Sequence, residues 1–566
     1  MKFLNRMLTG VMLAALVLAA VPALLDGARP ASVARAQSGG PIYLPLIDNA
    51  YIPEPPPFSI QIAGMSQIQA SSVFAELSQA EAAQVQEELI AELDAAFPSI
   101  LDAIKESGAG YVRLYVDWGS IQPLPGGDDS FNWTFYDKRM PKINDAGLGI
   151  IATISGVPAW AKEGKEPCNI MSADGVQAYY AFLEAFARKY HYVDVWEILN
   201  EPDAIPPYRC GDGLENYGKN GEQYAEVLQG AYTRLKRINP AYTVIMGGIA
   251  HEDFDEPNYT NKNFYRYFLD DVIKAGGASF MDGVNFHYFK NFAAGWEGWT
   301  KEGKPSCLGI IDVNDRGDKF YAPYGFDITA KASHIAERLG TCFGVSKPLW
   351  ATETGANGVG PNNPDHQYTQ DPSDQNPKKH LYGATLDDQA QYVFKMHARG
   401  FASGVKNITW YAIQTIPSLL PEDHQGLLFD ERNTKNAPGT PKPAYYAYQT
   451  MTRELGDYRY DTWLTFDPRS NPPAEAYQFR HFGGDNAGNP KVVAWINPPR
   501  EPGVPIEQKS LTLPVPQVRV VTRPGSGLPE EITVTDGGSG DLDGAGNGTI
   551  TLELSVEPKI IELLVR

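Results

Sequence analysis

The sequence predicts an α/β protein: a TIM-type (β/α)₈ barrel followed by a small all-β sandwich. Three observations point there. Between residues 58 and 455, eight short apolar runs alternate strictly with eight helical stretches, the pattern of a parallel sheet covered on both faces. The segment AGMSQIQASS after the first run holds no G-x-G-x-x-G, the phosphate turn that an open doubly wound sheet would usually carry. After residue 456 the texture changes to short alternating strands between Gly, Pro, Asn and Asp turns.

The chain opens on MKFLNRMLTGVMLAALVLAAVPALL, a basic start followed by an apolar run, and Ala34-Arg35-Ala36 comes after it as a small-x-small site. Residues 1–36 are therefore expected to be a cleaved signal peptide, with an uncleaved anchor as the alternative. The expected product is secreted or held at the cell surface, with no stable membrane insertion once the peptide is removed. Residues 37–57 end in a proline cluster and read as an extended linker.

The barrel strands are expected at FSIQIAG (58–64), YVRLYVDW (111–118), LGIIATIS (148–155) and VDVWEILNE (193–201). The later four are YTVIMGGIA (242–250), DGVNFHYF (282–289), PLWATETG (348–355) and NITWYAI (407–413). Amphipathic stretches such as VQAYYAFLEAFARKY and GEQYAEVLQGAYTRLKRI lie between them, and PAYYAYQTMTREL closes the series. Residues 456–566 form the second unit, with strands expected from AYQFRHF to KIIELLV. Its loop DGGSGDLDGAGNG (536–548) has Asp541 and Asp543 at calcium-loop spacing, but Ala545 stands at the next alternate position and no Glu closes it. A hairpin loop is expected.

The formal charge of −20 over 566 residues repels phosphate backbones and argues against a nucleic-acid partner. Removing residues 1–36 leaves the remainder more acidic still. Cys168, Cys210, Cys307 and Cys342 form no C-x-x-C pair, so zinc is not expected. They suit an oxidising compartment and allow three pairings, of which Cys168–Cys210 with Cys307–Cys342 joins sequence neighbours.

Active sites of such barrels lie at the C-terminal ends of the strands. Glu201 ends the fourth run and Glu353 the seventh, so two carboxylates are expected to meet across the mouth. That is the equipment of glycoside hydrolysis, in which one acid protonates the leaving oxygen and the other attacks or directs water.

The motifs W-E-I-x-N-E-P at 196–202 and W-x-T-E-x-G at 350–355 resemble the strand 4 and strand 7 signatures of clan A glycoside hydrolases, closest to families thirty-nine and five. The resemblance covers residues 58–455, and the small β-domain also suits family thirty-nine. It implies a retaining double displacement with Glu201 as acid/base and Glu353 as nucleophile. Asn200 would hold the sugar 2-hydroxyl, Arg113 would sit beneath the nucleophile and keep it ionised, and Trp410 would floor the reacting subsite. Neither metal nor organic cofactor is expected, and the partner is an oligo- or polysaccharide.

In such a pair the Glu353 charge would keep Glu201 protonated until the glycosyl-enzyme forms, after which Glu201 could serve as base. Glu197 lies deeper and is expected to pair with a base such as Arg113. His287 is a candidate substrate contact. Many clan members show His-x-Tyr on strand 6, but Phe289 stands at the tyrosine position here. Either Tyr288 replaces it from a shifted strand end or the phenol–nucleophile bond is missing. Trp160 is a candidate sugar platform, and Trp296 and Trp299 stand in the insert at 290–325, which is expected to shape the cleft together with the loop at 356–386. The alternatives to an enzyme are a catalytically silent carbohydrate-binding barrel and a surface module working through its β-domain.

Overall fold

The structure, a computed structural model, describes residues 56–62, 79–127, 130–208, 210, 215–251, 263–289, 328–356, 386–414, 425–429, 436–466, 474–482, 488–497, 508–523 and 527–565. The proposed signal peptide, nearly all of the linker, the insert at 290–325 with its two tryptophans and Cys307, and the loop at 357–385 lie outside them. Among the described residues, no helix is long and apolar enough to cross a membrane.

Eight parallel strands form the first unit: β1 Phe58–Gln61, β2 Tyr111–Asp117, β3 Gly149–Ser155, β4 Val195–Ile198, β5 Thr243–Met246, β6 Val284–Phe289, β7 Leu349–Gly355 and β8 Val405–Trp410. Their order, β5-β4-β3-β2-β1-β8-β7-β6, leaves β5 and β6 at the two ends. Parallel bridges Ile245↔Gly283 and Ile249↔Phe286 close that seam and make a barrel. Lys331, buried in the helix Ile328–Glu337, reinforces it by donating to the carbonyls of His287 (2.7 Å) and Ile249 (3.4 Å).

The helices form where the apolar spacing predicted them. Ala173–Lys189 starts on Ser172, whose hydroxyl accepts from the Gly175 amide at 3.0 Å. It buries Tyr179, Phe182, Leu183 and Phe186 on one face and ends on Arg188 and Lys189, which suit the negative end of the helix dipole. Most of the apolar core lies between the sheet and this outer ring. A separate buried cluster, Ile151, Val195, Ile245 and Trp350, plugs the lower barrel interior.

The second unit begins one residue beyond the turn that ends helix Pro443–Leu455. Its larger antiparallel sheet runs β14-β13-β16-β11-β10-β9, and β12 pairs with β15. The ranges are β9 Tyr458–Phe466, β10 Ala474–His481, β11 Lys491–Ile496, β12 Lys509–Leu513, β13 Gln517–Thr522, β14 Glu531–Thr535, β15 Ile550–Leu554 and β16 Lys559–Leu563. Edge strand β9 was not anticipated. It leaves Trp463 half exposed and Asp461 in solvent, so its apolar alternation is weak.

The aspartates of the 536–548 loop are spent on backbone amides. Asp541 accepts from Gly537 and Thr551 (both 2.9 Å), Asp536 from Asn547 and Gly548, and Asp543 from Ala545. Cys168–Cys210 form a disulfide, and Cys342 is disulfide-bonded too.

Candidate active site

Alternation along β2 turns Arg113 and Tyr115 into the barrel, and alternation along β4 does the same for Glu197. Regular alternation fails at the two residues that matter most. Strand β4 ends at Ile198, and Leu199 (φ 64°) and Glu201 (φ 43°) then adopt left-handed backbone, costly for residues with a Cβ. This turn brings Asn200 and Glu201 to the mouth.

In β7, Ala351 aligns with Phe286 but Glu353 with His287, so Thr352 is an extra residue. Trp350 faces the interior, and strict alternation would send Glu353 outward to the helices. The bulge makes Thr352 and Glu353 both point in, the kind of re-aiming that bulges provide.

Arg113 is the hub beneath the pair. Wholly buried, it donates from Nε and Nη2 to Glu197 (2.8 and 3.0 Å), from Nη1 to Glu353 (2.5 Å) and Gln61, and from Nη2 to Asn200 Oδ1 (3.1 Å). Burial alone would lower its pKa, but the charge of Glu197 and then of its other neighbours raises it well above the ordinary value. Glu197, also wholly buried, further accepts from Thr153 (2.8 Å), Asn285 (3.0 Å) and Thr352 (3.1 Å). Burial pushes its carboxyl up, but Arg113 and the hydrogen bonds overcome this and hold it at about 2.

Tyr115 donates its phenol hydrogen to Glu353 Oε1. Burial and then the Glu353 charge hold that phenol well above its ordinary pKa, so it remains a donor. His287 Nδ1 lies 2.8 Å from Glu201 and 3.6 Å from Glu353, and Nε2 lies 3.2 Å from Thr352 Oγ1. Burial would deprotonate it, yet the Glu353 charge, the nearby Glu197 carboxylate (3.8 Å) and the bond to Glu201 raise it to about 9. In its protonated form the ring donates from Nδ1 to Glu201 and from Nε2 to Thr352 Oγ1.

One atom each from Glu201, His287 and Glu353 all lie within 4.8 Å of one another, so the two carboxylates approach to that distance or less. The same trio has the composition of a metal site.

Arg113, Asn200, Glu201, His287 and Glu353 are thus brought together. The other candidates are not. Trp410 is wholly buried on the side of β8 shared with Ile408, which packs against Gly400 of the helix Leu386–Ala402, and its indole donates to Gln425 O at 2.9 Å. The next residue, Tyr411, meets Phe289 edge-on at 5.7 Å. Tyr288 is likewise wholly buried within the main core. Neither alternative for it holds, because the phenol on Glu353 comes from Tyr115 of β2. Trp160, after β3, is half-buried, contacts Trp118 and donates to Gln122 O at 3.1 Å.

Tyr115, Gln61 and Thr352 were missed. For Tyr115 the signal was present, since it stands two residues from Arg113 on one strand. Gln61 stood equally on the inner side of β1. Thr352 depends on the bulge, which a period of two cannot reveal.

No family model and no curated protein matches the chain. Among solved structures, a family 39 glycoside hydrolase from the gut symbiont Bacteroides cellulosilyticus WH2 aligns over 90% of this chain and 81% of that one, with 16% identity and a TM-score of 0.56. A glucosidase from Croceicoccus marinus (14% identity, 82% and 92% covered, TM-score 0.47) and a monomeric beta-xylosidase from Caulobacter crescentus CB15 (14%, 82% and 92%, 0.45) are more distant. At these identities the likeness is one of fold: the chain shares its fold with the Bacteroides glycoside hydrolase.

Proposed function

We propose that this protein is an exported, retaining glycoside hydrolase acting on β-linked oligo- or polysaccharides. The approach of the nearest Glu201 and Glu353 oxygens to 4.8 Å or less carries the reading. Retaining enzymes hold their carboxyl groups about 5–5.5 Å apart, whereas inverting ones leave ~6.5–9.5 Å for a water. The basic start, apolar run and A-x-A site within residues 1–36 support export.

Glu353 is the nucleophile. Its side chain is 7% exposed, fixed by Arg113 and Tyr115, and free to turn one oxygen to an anomeric carbon. Glu201, 13% exposed, is the acid/base at the rim. In the first step Glu353 bonds to the anomeric carbon as the glycosidic C–O bond breaks, and the Glu201 proton passes to the leaving oxygen. In the second, Glu201 takes a proton from water, whose oxygen displaces Glu353 and restores both acids. In this reading Asn200, oriented by Arg113, binds the 2-hydroxyl, and Tyr411, which follows the buried Trp410 and meets Phe289 edge-on, is assigned the sugar floor. The silent-scaffold alternative rested on the missing phenol at position 289, and Tyr115 removes that support.

The test is hydrolysis of a panel of aryl β-glycosides by the mature protein beside Glu353→Ala with azide. Cleavage of one sugar, loss in the variant by roughly 10⁴-fold or more, and rescue as an α-glycosyl azide are expected. Polysaccharides are tried next if no aryl glycoside reacts, and inertness toward both would sink the enzyme reading.

A further inference from the structure

The acid/base stands on strained backbone, and that turn is held by a residue the reaction does not touch. Each carbonyl from Asn200 to Asp203 accepts an amide: Glu201 from Ala204 within the turn (3.1 Å), and from other loops Asn200 from Glu215 (3.1 Å), Pro202 from Gly218 (2.9 Å) and Asp203 from Tyr265 (2.7 Å). The Asp203 side chain, wholly buried, adds a carboxylate to these ties. Its Oδ1 accepts from the Ala250 amide at 3.2 Å and its Oδ2 from the His251 amide at 2.9 Å.

Ala250 and His251 come after β5, so Asp203 pins the turn after β4 to the loop after β5. That loop also reaches His287, the partner of Glu201, because the His287 amide donates to Ile249 O at 2.9 Å. A buried carboxylate spending both oxygens on two consecutive backbone amides is more than filling space requires. Its position two residues from Glu201 makes it a lever on that side chain.

We infer that Asp203 is a positioning residue for proton transfer: by clamping the Ala250 and His251 amides it holds the left-handed turn that aims Glu201 at the leaving oxygen. This rests on the assignment of Glu201 as the acid. Asp203 itself reaches no substrate.

The test compares wild type, Glu201→Ala and Asp203→Asn on the sugar the wild type cleaves, with two leaving groups. A dinitrophenolate departs without a proton, whereas an unsubstituted phenolate needs one. Asp203→Asn is expected to lose kcat/KM at least about 10-fold more on the phenyl than on the dinitrophenyl glycoside, with Glu201→Ala showing the same bias more strongly. Equal losses on both substrates would reduce Asp203 to a structural support and overturn the inference. If Glu201→Ala itself shows no bias, the acid assignment fails and the inference falls with it. Thermal unfolding confirms that Asp203→Asn is folded. Should it not be, Asp203→Ser, still able to accept from an amide, carries the same comparison.

Discussion

At the scale of single residues, the site is a chain of alternating charges, Glu197, Arg113, Glu353 and His287, that ends on Glu201. A group that gains its charge from neighbours ties stability to pH. His287 has a folded pKa of about 9 against an ordinary 6.5. The folded state therefore keeps a proton that the unfolded chain releases in between. Its contribution is complete below pH 6.5 and is lost as pH rises through 9. Asp203 and Asp117, raised chiefly by burial to about 7 and about 6, lose their share as pH rises through those lower values, and the buried tyrosines, raised by burial, are common to wild type and variant, so above pH 7.5 the difference between the two proteins isolates the histidine. Urea unfolding at pH 7.5 and 9.5 should show wild type losing on the order of 3 kcal/mol at most, the carboxylates relaxing part of it. His287→Gln should show a much flatter response. An equal slope in both proteins would place the titration elsewhere. The two acids were legible from their motifs, Glu197 from its depth and Arg113 from the strand 2 motif. The tryptophan on β8 was misplaced because a residue's side of a strand cannot be read without its register.

At the scale of elements, all eight barrel strands were legible, since parallel strands buried on both faces read as apolar runs. Their ends were less so: β4 and β5 stop at Ile198 and Met246, short of the expected 201 and 250. Beyond those residues the chain leaves strand geometry for the two irregular turns that form the site, and apolar content says nothing about backbone leaving the β region. Gly247 and Gly248 explain how those turns meet. A Cβ on Gly247 would lie 2.7 Å from Leu199 O and 2.8 Å from Pro202 Cδ, and one on Gly248 only 2.1 Å from His287 Nε2. The imidazole thus rests on bare backbone, and the glycine pair in MGGI is a spacing requirement of the site. Gly248→Ala should displace His287 from Glu201, cost about 1–3 kcal/mol as overpacking and lower kcat/KM by ~10-fold or more. Gly127→Ala, with nothing within 4 Å of the new methyl, is the control expected to change neither. Wild-type activity in Gly248→Ala would show that the histidine has room to spare.

At the scale of the whole molecule, the division into barrel and sandwich was legible from texture, but the bond between them was not, because it depends on long-range pairs. Tyr477, Phe479, Val493 and Trp495 of the second unit belong to the same apolar core as the barrel helices. Across that contact, Arg399 of the helix Leu386–Ala402 meets Glu475 of β10 through two bonds (Nε–Oε2 3.0 Å, Nη2–Oε1 2.6 Å), with side chains 4% and 0% exposed. Asn497 and Tyr477 complete the arrangement. A second group binds Glu454, at the end of helix Pro443–Leu455, to Lys491 (2.7 Å) and Arg519 (2.8 Å). A surface module working through a detachable β-domain does not sit easily on such a joint, since separation would strand buried charges and uncover apolar core. Breaking a buried pair from one side costs about 3–5 kcal/mol, whereas replacing both partners with apolar residues can be nearly neutral. Arg399→Ala should therefore destabilise the whole chain by about that amount, and Arg399→Met with Glu475→Leu should recover most of it. Calorimetry of the wild type should give one transition for barrel and β-domain together. Two separated transitions, with only the later residues shifted by Arg399→Ala, would mean that the units fold independently and that the joint is a contact of convenience.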